Sequence, residues 1–150
     1  PNTEDDPSGN QTSEKAEALC GALVARADGV PLWVKIGPEL GREQVEALAR
    51  AFEATGVRAV IATNTLPQRT PDGAHIAGVG GGDLHLHALD TVRAFSKATN
   101  RLDVIGCGGV LDGASYRAVR EAGAKAVMYY SALIYRGPLA GAIIHREAGA

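Results

Sequence analysis

The segment DVIGCGGV, residues 103–110, joins a short apolar run to a glycine-rich end. An apolar run of about four to eight residues bounded by glycine is typical of a strand buried in a parallel sheet. Three further segments have the same design, and each ends in glycine or polar residues: LWVKIGP (32–38), AVIATNT (59–65) and AVMYYS (126–131). The sequence therefore predicts four parallel strands, with polar and glycine residues at their carboxyl ends.

Helical segments alternate with these strands. Apolar residues recur at helical spacing in five stretches. These are residues 13–27, about 42–55, a helix carrying Leu89, Val92 and Phe95, residues 113–122 with Gly123 at the C-terminal cap position, and about 138–147. Two stretches without periodicity, residues 1–12 and 65 to about 86, are predicted to be loops, the second rich in glycine. This alternation indicates the α/β class.

The length of the chain bears on the architecture. A closed (β/α)8 barrel (TIM barrel) takes about 250 residues, whereas this chain has 150. Barrel active sites lie at the carboxyl ends of the strands, where the polar and glycine residues of this sequence also fall. A half barrel of four βα units is therefore favoured over a small doubly wound sheet.

Composition excludes several classes of protein. Of the 150 residues, 45% are hydrophobic, and 15 Lys and Arg against 17 Asp and Glu give a net charge of −2. Nucleic acid is therefore not the expected partner. No apolar run approaches the roughly 18 residues of a membrane span, and the acidic start is unlike a signal peptide. Cys20 and Cys107 form no CxxC motif, so no zinc site or disulfide framework is indicated. A soluble, cytosolic protein is expected.

Two loops after the last two strands form the strongest motif. Gly106, Gly108 and Gly109 follow one strand, and Tyr130–Ser131 follow the next. Barrels commonly hold a phosphate at this place, because glycines let backbone N–H groups approach the anion. The pair of loops predicts a phosphate-bearing cofactor or substrate; the alternative is that the glycines only form turns.

Polar residues within and after the first two strands suggest a ligand ring. The first strand is predicted to be buried on both faces, so Lys35 should reach an anion or polar ligand, unless its head extends to solvent. Residues 63–65 offer hydrogen-bonding groups suited to a planar heterocycle, or form only a turn. His75, His85 and His87 have no carboxylate or cysteine at ligand spacing, so surface histidines are favoured over a metal site.

Five blocks in order resemble the C-terminal half of dihydroorotate dehydrogenase. They are PNT (1–3), LWVKIGP (32–38), IATNT (61–65), IGCGGV (105–110) and YSAL (130–133) with Gly137–Pro138. The match runs over nearly the whole chain and is most similar to the quinone-reducing class. It implies that residues 1–150 are half of one FMN-binding (β/α)8 barrel, and that the whole protein oxidises dihydroorotate to orotate in pyrimidine biosynthesis.

The resemblance also implies residue roles. Lys35 corresponds to the lysine beside the flavin ring, where its charge stabilises the reduced anionic flavin. FMN contacts correspond to Thr63, Gly81, Gly108, Gly109, Tyr130 and Ser131; orotate contacts correspond to Asn2, Asn64 and Thr65. Gly81 falls at a glycine of the family's GGLSG segment, although residues 77–81 read AGVGG here.

The chain departs from the family at its start. The family's catalytic base, a serine or cysteine, immediately precedes the block that begins here at Pro1, and Glu4–Asp6 replace the usual continuation of that block. We therefore expect the isolated chain to lack turnover. The expected partners are dihydroorotate or orotate, a quinone acceptor, and either the N-terminal half of the barrel or a second copy. The expected location is the cytoplasm, with peripheral membrane contact through the N-terminal part.

Two other functions are compatible with the loops alone. A phosphate-binding barrel without flavin, such as an isomerase or synthase, would keep the glycine loop but has no need of Lys35 with residues 63–65. A non-catalytic half-barrel module could bind FMN or phosphate and act through a partner. Bound flavin distinguishes the flavin proteins from the colourless barrels by its visible absorbance.

Overall fold

The computed structural model describes residues 11–149 and confirms the α/β class. Its strands are β1 (Trp33–Ile36), β2 (Ala59–Ala62), β3 (Leu66–Arg69), β4 (Ile76–Val79), β5 (Asp103–Cys107) and β6 (Ala126–Met128). Its α-helices are α1 (Ser13–Val24), α2 (Arg42–Thr55), α3 (His85–Ala98), α4 (Gly113–Glu121), α5 (Ser131–Arg136) and α6 (Ala140–Glu147). A short 3₁₀ helix, Gly81–Leu84, precedes α3.

Four of the strands form one parallel sheet in the order β1-β2-β5-β6. Neighbouring strands of this sheet are also neighbours along the chain, apart from the hairpin between β2 and β5. Helices connect each strand to the next, as parallel pairing requires. All four carboxyl ends therefore meet at one edge of the sheet.

One face of the sheet packs against the helices. Val34, Val60 and Val104 occupy one row across β1, β2 and β5, and all three belong to or pack against the buried core. The helices contribute Leu48, Phe52 and Phe95, among the largest fully buried side chains. Burying such residues supplies the main free energy of folding. The amphipathic helices thus cover one side of the sheet, as their periodicity predicts.

The opposite face of the sheet is exposed along the edge strands β1 and β6, whereas Ile61 on β2 is half-buried and Ile105 on β5 is buried. Lys35, Ile61 and Ile105 share a row on that face. Trp33 on the edge strand β1 is 53% exposed, and Met128 on the other edge strand, β6, is 41% exposed. The prediction that the first strand is buried on both faces is therefore wrong. Lys35 is exposed because the inner face of β1, at the sheet edge, faces open space.

The long glycine-rich segment after β2 contains more structure than its sequence predicts. β3 and β4 form an antiparallel hairpin, which the 3₁₀ helix follows. Backbone N–H of Thr70 donates to the carbonyl of His75 at 2.9 Å, and Asp72 accepts from the N–H of Ala74 at 3.0 Å. The last strand is shorter than predicted, because the chain turns into helix α5 at Ser131.

Both edges of the sheet carry exposed apolar side chains. Trp33 on β1 and Met128 on β6 are exposed, as are Leu19 of α1 and Ile134 and Tyr135 of α5. Exposed strand edges and apolar faces favour association. No helix within residues 11–149 has the length and apolar character needed to cross a bilayer.

We expect the isolated 150-residue chain to self-associate, because the open sheet face and both edges gain buried apolar area on pairing. Sedimentation velocity across a concentration series, with a dye that fluoresces on apolar surface, measures this. A stable monomer at tens of micromolar that binds no dye would contradict the open-face description.

Candidate functional site

A cavity of about 270 Å³ lies at the carboxyl ends of the strands. Its lining brings together eight of the residues predicted from the sequence: Lys35, Thr63, Thr65, Gly81, Gly108, Gly109, Tyr130 and Ser131. Asn64 does not line this cavity, and Asn2 lies outside the described residues. Ligand pockets usually measure roughly 300–1,000 Å³. The cavity is slightly smaller than this range.

The glycine loop after β5 forms the floor of the cavity. Gly108 and Gly109 have φ angles of 139° and 65°. Residues other than glycine rarely adopt positive φ angles of this kind. A Cβ atom at Gly109 would lie 2.5 Å from the Cβ of His85 and 2.7 Å from the carbonyl oxygen of Gly81. The close approach of this loop to the start of α3 therefore requires glycine.

The wall opposite this floor comes from the residues after β6. Ser131 is the first residue of α5, and Tyr130 precedes it. A Cβ atom at Gly81 would lie 3.4 Å from the Ser131 hydroxyl oxygen, so Gly81 and Ser131 are neighbours across the cavity. Residues far apart in sequence, at 81, 109 and 131, thus meet in one small region.

The residues after β2 are firmly held. Thr63 is 1% exposed, and its hydroxyl donates to the carbonyl of Ile36 at 2.8 Å. Its backbone N–H donates to the carbonyl of Cys107 at 2.6 Å, and the N–H of Asn64 donates to Ile36 at 2.7 Å. These bonds tie the carboxyl ends of β1, β2 and β5 together. Thr63 is therefore a structural tie between three strands as well as part of the cavity lining.

Thr63→Val should lower the free energy of unfolding by about 1 kcal/mol, the ordinary net worth of one hydrogen bond. The loss stays small because the Ile36 carbonyl keeps its bond from the N–H of Asn64. Urea denaturation of the two proteins measures the difference. A loss above about 3 kcal/mol, the upper range for leaving a buried group unpaired, would contradict this bonding pattern.

Lys35 and Cys107 occupy the side of the cavity next to the open sheet face. Burial raises the pKa of the Cys107 thiol, and the nearby positive charge of Lys35 partly opposes that rise. Cys107 was not identified from sequence, although a signal exists: it follows Ile105 by two positions and so lies on the same face of β5. The cavity also includes Leu84 and Tyr129, which sequence reasoning missed.

The histidines behave differently from one another. His75 and His87 are exposed, whereas His85 is half-buried. Its Nδ1 lies 3.4 Å from the Gly108 carbonyl oxygen, so His85 is only partly at the surface. His85 packs there because it begins α3 directly beside the glycine loop. Within residues 11–149 no three His, Cys, Asp or Glu side chains are grouped as metal ligands.

Comparison with known proteins gives the family. The sequence model described as dihydroorotate dehydrogenase matches residues 1–150. The chain belongs to the dihydroorotate dehydrogenase family. Among curated relatives, dihydroorotate dehydrogenase (quinone) of Bordetella avium is 41% identical over 115 residues, which is 73% of this chain and 33% of that protein. The corresponding protein of Methylococcus capsulatus is 40% identical over 129 residues, 81% of this chain and 37% of that protein.

Solved dihydroorotate dehydrogenase structures share the fold. The crystal structure of DHODH from Eimeria tenella in complex with ferulenol superposes with a TM-score of 0.87 at 25% identity, over 99% of this chain and 46% of that chain. The half-barrel prediction is therefore confirmed. The chain spans about a third to two-fifths of the length of the curated relatives named above.

Proposed function

We propose that this chain supplies the flavin-phosphate wall and part of the substrate wall of an FMN-dependent enzyme that oxidises dihydroorotate to orotate. The observation that supports this proposal most directly is the cavity. Its lining combines Lys35 and residues of the segment after β2 with the glycine loop and Ser131. The family assignment supports this function, because the relatives are named dihydroorotate dehydrogenase (quinone).

The shape of the cavity fits the phosphate end of FMN. Gly108 and Gly109 place backbone on the floor of the cavity, and a Cβ atom at either position would collide with the start of α3 or the residues just before it. Backbone N–H groups on such loops bind phosphate oxygens at the carboxyl face of barrels. We assign the phosphate to these glycines with Gly81, Tyr130 and Ser131. These residues hold the anion through backbone and hydroxyl donors, without a nearby carboxylate in the cavity lining.

The other end of the cavity fits the ring of the cofactor. FMN supplies the acceptor for the electrons removed from the substrate. Lys35 places an ammonium group on the open sheet face near Cys107, and Thr63 also belongs to the cavity lining. A positive charge at this end stabilises negative charge that develops on the ring. We therefore assign Lys35 and Thr63 to the ring.

We assign substrate binding to residues of the segment after β2. Thr65 lines the cavity, and Asn64 precedes it at the carboxyl end of β2. Hydroxyl and amide groups can donate and accept hydrogen bonds with the carbonyl and amide groups of orotate. We assign Asn64 and Thr65, together with Asn2 of the PNT block, to substrate binding.

We further propose quinone as the electron acceptor and the remainder of the barrel as the structure that covers the open sheet face. The first follows from the names of the relatives. The second follows from the exposed side chains of Trp33 and Lys35 on β1 and of Met128 on β6, since the inner face of a barrel is a packed core. Peripheral contact with a membrane would accompany quinone use.

The visible spectrum of the purified complete gene product tests the cofactor assignment. Bound flavin absorbs at about 450 nm, and we expect this band together with stoichiometric release of FMN on denaturation. A colourless protein that binds inorganic phosphate but not added FMN would overturn the proposal in favour of a barrel without flavin.

A further inference from the structure

One ion pair, between the ends of α5 and α6, connects the two segments that line the phosphate end of the cavity. Arg136 is the last residue of α5, which begins at Ser131 in the lining. Its guanidinium pairs through both terminal nitrogens with the carboxylate of Glu147, the last residue of α6. The two side chains are only 27% and 38% exposed. This bidentate geometry is the more specific form of an Arg–carboxylate pair.

Arg136 also reaches the other loop directly. One terminal nitrogen donates to the backbone carbonyl of Leu111 at 2.8 Å. Leu111 follows Val110, which lines the cavity after Gly109. The same guanidinium therefore links the helix that starts at Ser131 to the backbone two residues beyond Gly109.

Glu147 completes the connection from the opposite side. Its carboxylate accepts from the N–H of Gly113, the first residue of α4, at 3.0 Å. A Cβ atom at Gly113 would overlap the backbone of Glu147, so the end of α6 rests directly on the start of α4. Arg117 donates to the Glu147 carbonyl at 2.9 Å. The carboxylate thus fixes the end of the glycine loop to the last helix.

The segment between Gly109 and α4 is rigid at its own end as well. Asp112 accepts from the N–H of Ser115 at 2.8 Å, and its own N–H donates to the Ser115 hydroxyl at 3.0 Å. This reciprocal capping fixes the start of α4. A displacement at Leu111 is therefore passed to Val110 and Gly109, because the next residues along the chain cannot absorb it.

We infer that Arg136 and Glu147 are positioning residues that set the separation of the two phosphate-binding loops without touching the ligand. The inference rests on the proposed function, since it concerns how the phosphate wall is held. Hydrogen bonds from Arg136 and from the Gly113 N–H lower the pKa of Glu147, so the carboxylate stays ionised at neutral pH. Loss of the pair should weaken binding of the phosphate end and spare the ring end.

The test compares FMN with riboflavin, which lacks the phosphate, in the complete gene product. For Arg136→Ala we expect FMN affinity to fall about tenfold while riboflavin affinity changes less than about twofold. Arg136→Lys keeps the charge but not the bidentate geometry. Its FMN affinity should lie between those of Arg136→Ala and the unchanged protein. Arg42→Ala is the matched control, because it removes an exposed ion pair with Glu46 away from the cavity lining, and it should change neither affinity.

Equal losses of FMN and riboflavin affinity, or no loss of either, would overturn the positioning role. Thermal melting identifies a variant that fails to fold; Glu147→Gln then carries the test, since its amide oxygen can still accept from Gly113 and only the charge pair is lost. Failure of the unchanged protein to bind either flavin would instead overturn the proposed function itself.

Discussion

Gly109→Val should abolish tight FMN binding, lowering the affinity by about a hundredfold or more. Gly109 has a φ of 65°, and a Cβ atom there would lie 2.5 Å from the Cβ of His85 and 2.7 Å from the Gly81 carbonyl oxygen. A branched side chain must therefore push the loop away from α3 and from Gly81. Since Gly81 is itself assigned to the phosphate, two parts of the phosphate site are displaced together. Fluorescence titration with FMN measures the loss.

Gly73→Ala provides the matched control for this substitution. Gly73 has a similar φ of 71°, but a Cβ atom there meets nothing within 4 Å. It carries the backbone strain of a positive φ without the crowding, and it lies in the β3–β4 hairpin. We expect FMN affinity within about twofold of the unchanged protein. Tight FMN binding by Gly109→Val would show that the phosphate is held elsewhere.

Lys35→Ala should leave FMN affinity within about threefold and slow reduction of the bound flavin by about 10- to 100-fold. The proposed phosphate site comprises the loops after β5 and β6 with Gly81 and does not include Lys35. The ammonium group is proposed to lie at the ring end, where removing a positive charge disfavours the reduced, negatively charged cofactor. Rapid-mixing measurements of flavin reduction by dihydroorotate separate this effect from binding.

Two further substitutions serve as controls for Lys35→Ala. Lys35→Arg keeps the positive charge and should retain more of the reduction rate than Lys35→Ala. Lys125→Ala removes a lysine at the opposite end of the sheet, where it pairs with Asp103 at 3.6 Å, and should leave the rate unchanged. If Lys35→Ala lost FMN binding while Gly109→Val kept it, the two ends of the cofactor would be assigned the wrong way round.

The parallel sheet could be predicted because its strands are short apolar runs with glycine or polar residues at their ends. Val60 and Val104 belong to such runs, and both are buried between sheet and helices. The periodicity of α2 and α3 likewise matches the faces that carry Phe52 and Phe95 into the core. Gly109 and Ser131 lie close together because a parallel sheet places the carboxyl ends of all its strands on the same side.

Other features depend on contacts that a linear pattern does not contain. The β3–β4 hairpin lacks apolar alternation, and its clearest local signal is the Pro71–Gly73 turn sequence. The exposure of Lys35 depends on which structure covers the inner face of β1, and the apolar run around Lys35 does not reveal this. His85 and the Arg136–Glu147 pair acquire their roles only through neighbours more than ten residues away in sequence.

If the cavity holds FMN in position to oxidise dihydroorotate, as proposed, the bound flavin must accept electrons from added substrate. The most direct measurement is the absorbance of the bound flavin at about 450 nm when dihydroorotate is added anaerobically to the complete gene product. We predict bleaching of this band, with one orotate formed for each flavin reduced. A protein that retains FMN, stays yellow with excess dihydroorotate and yields no orotate would contradict it.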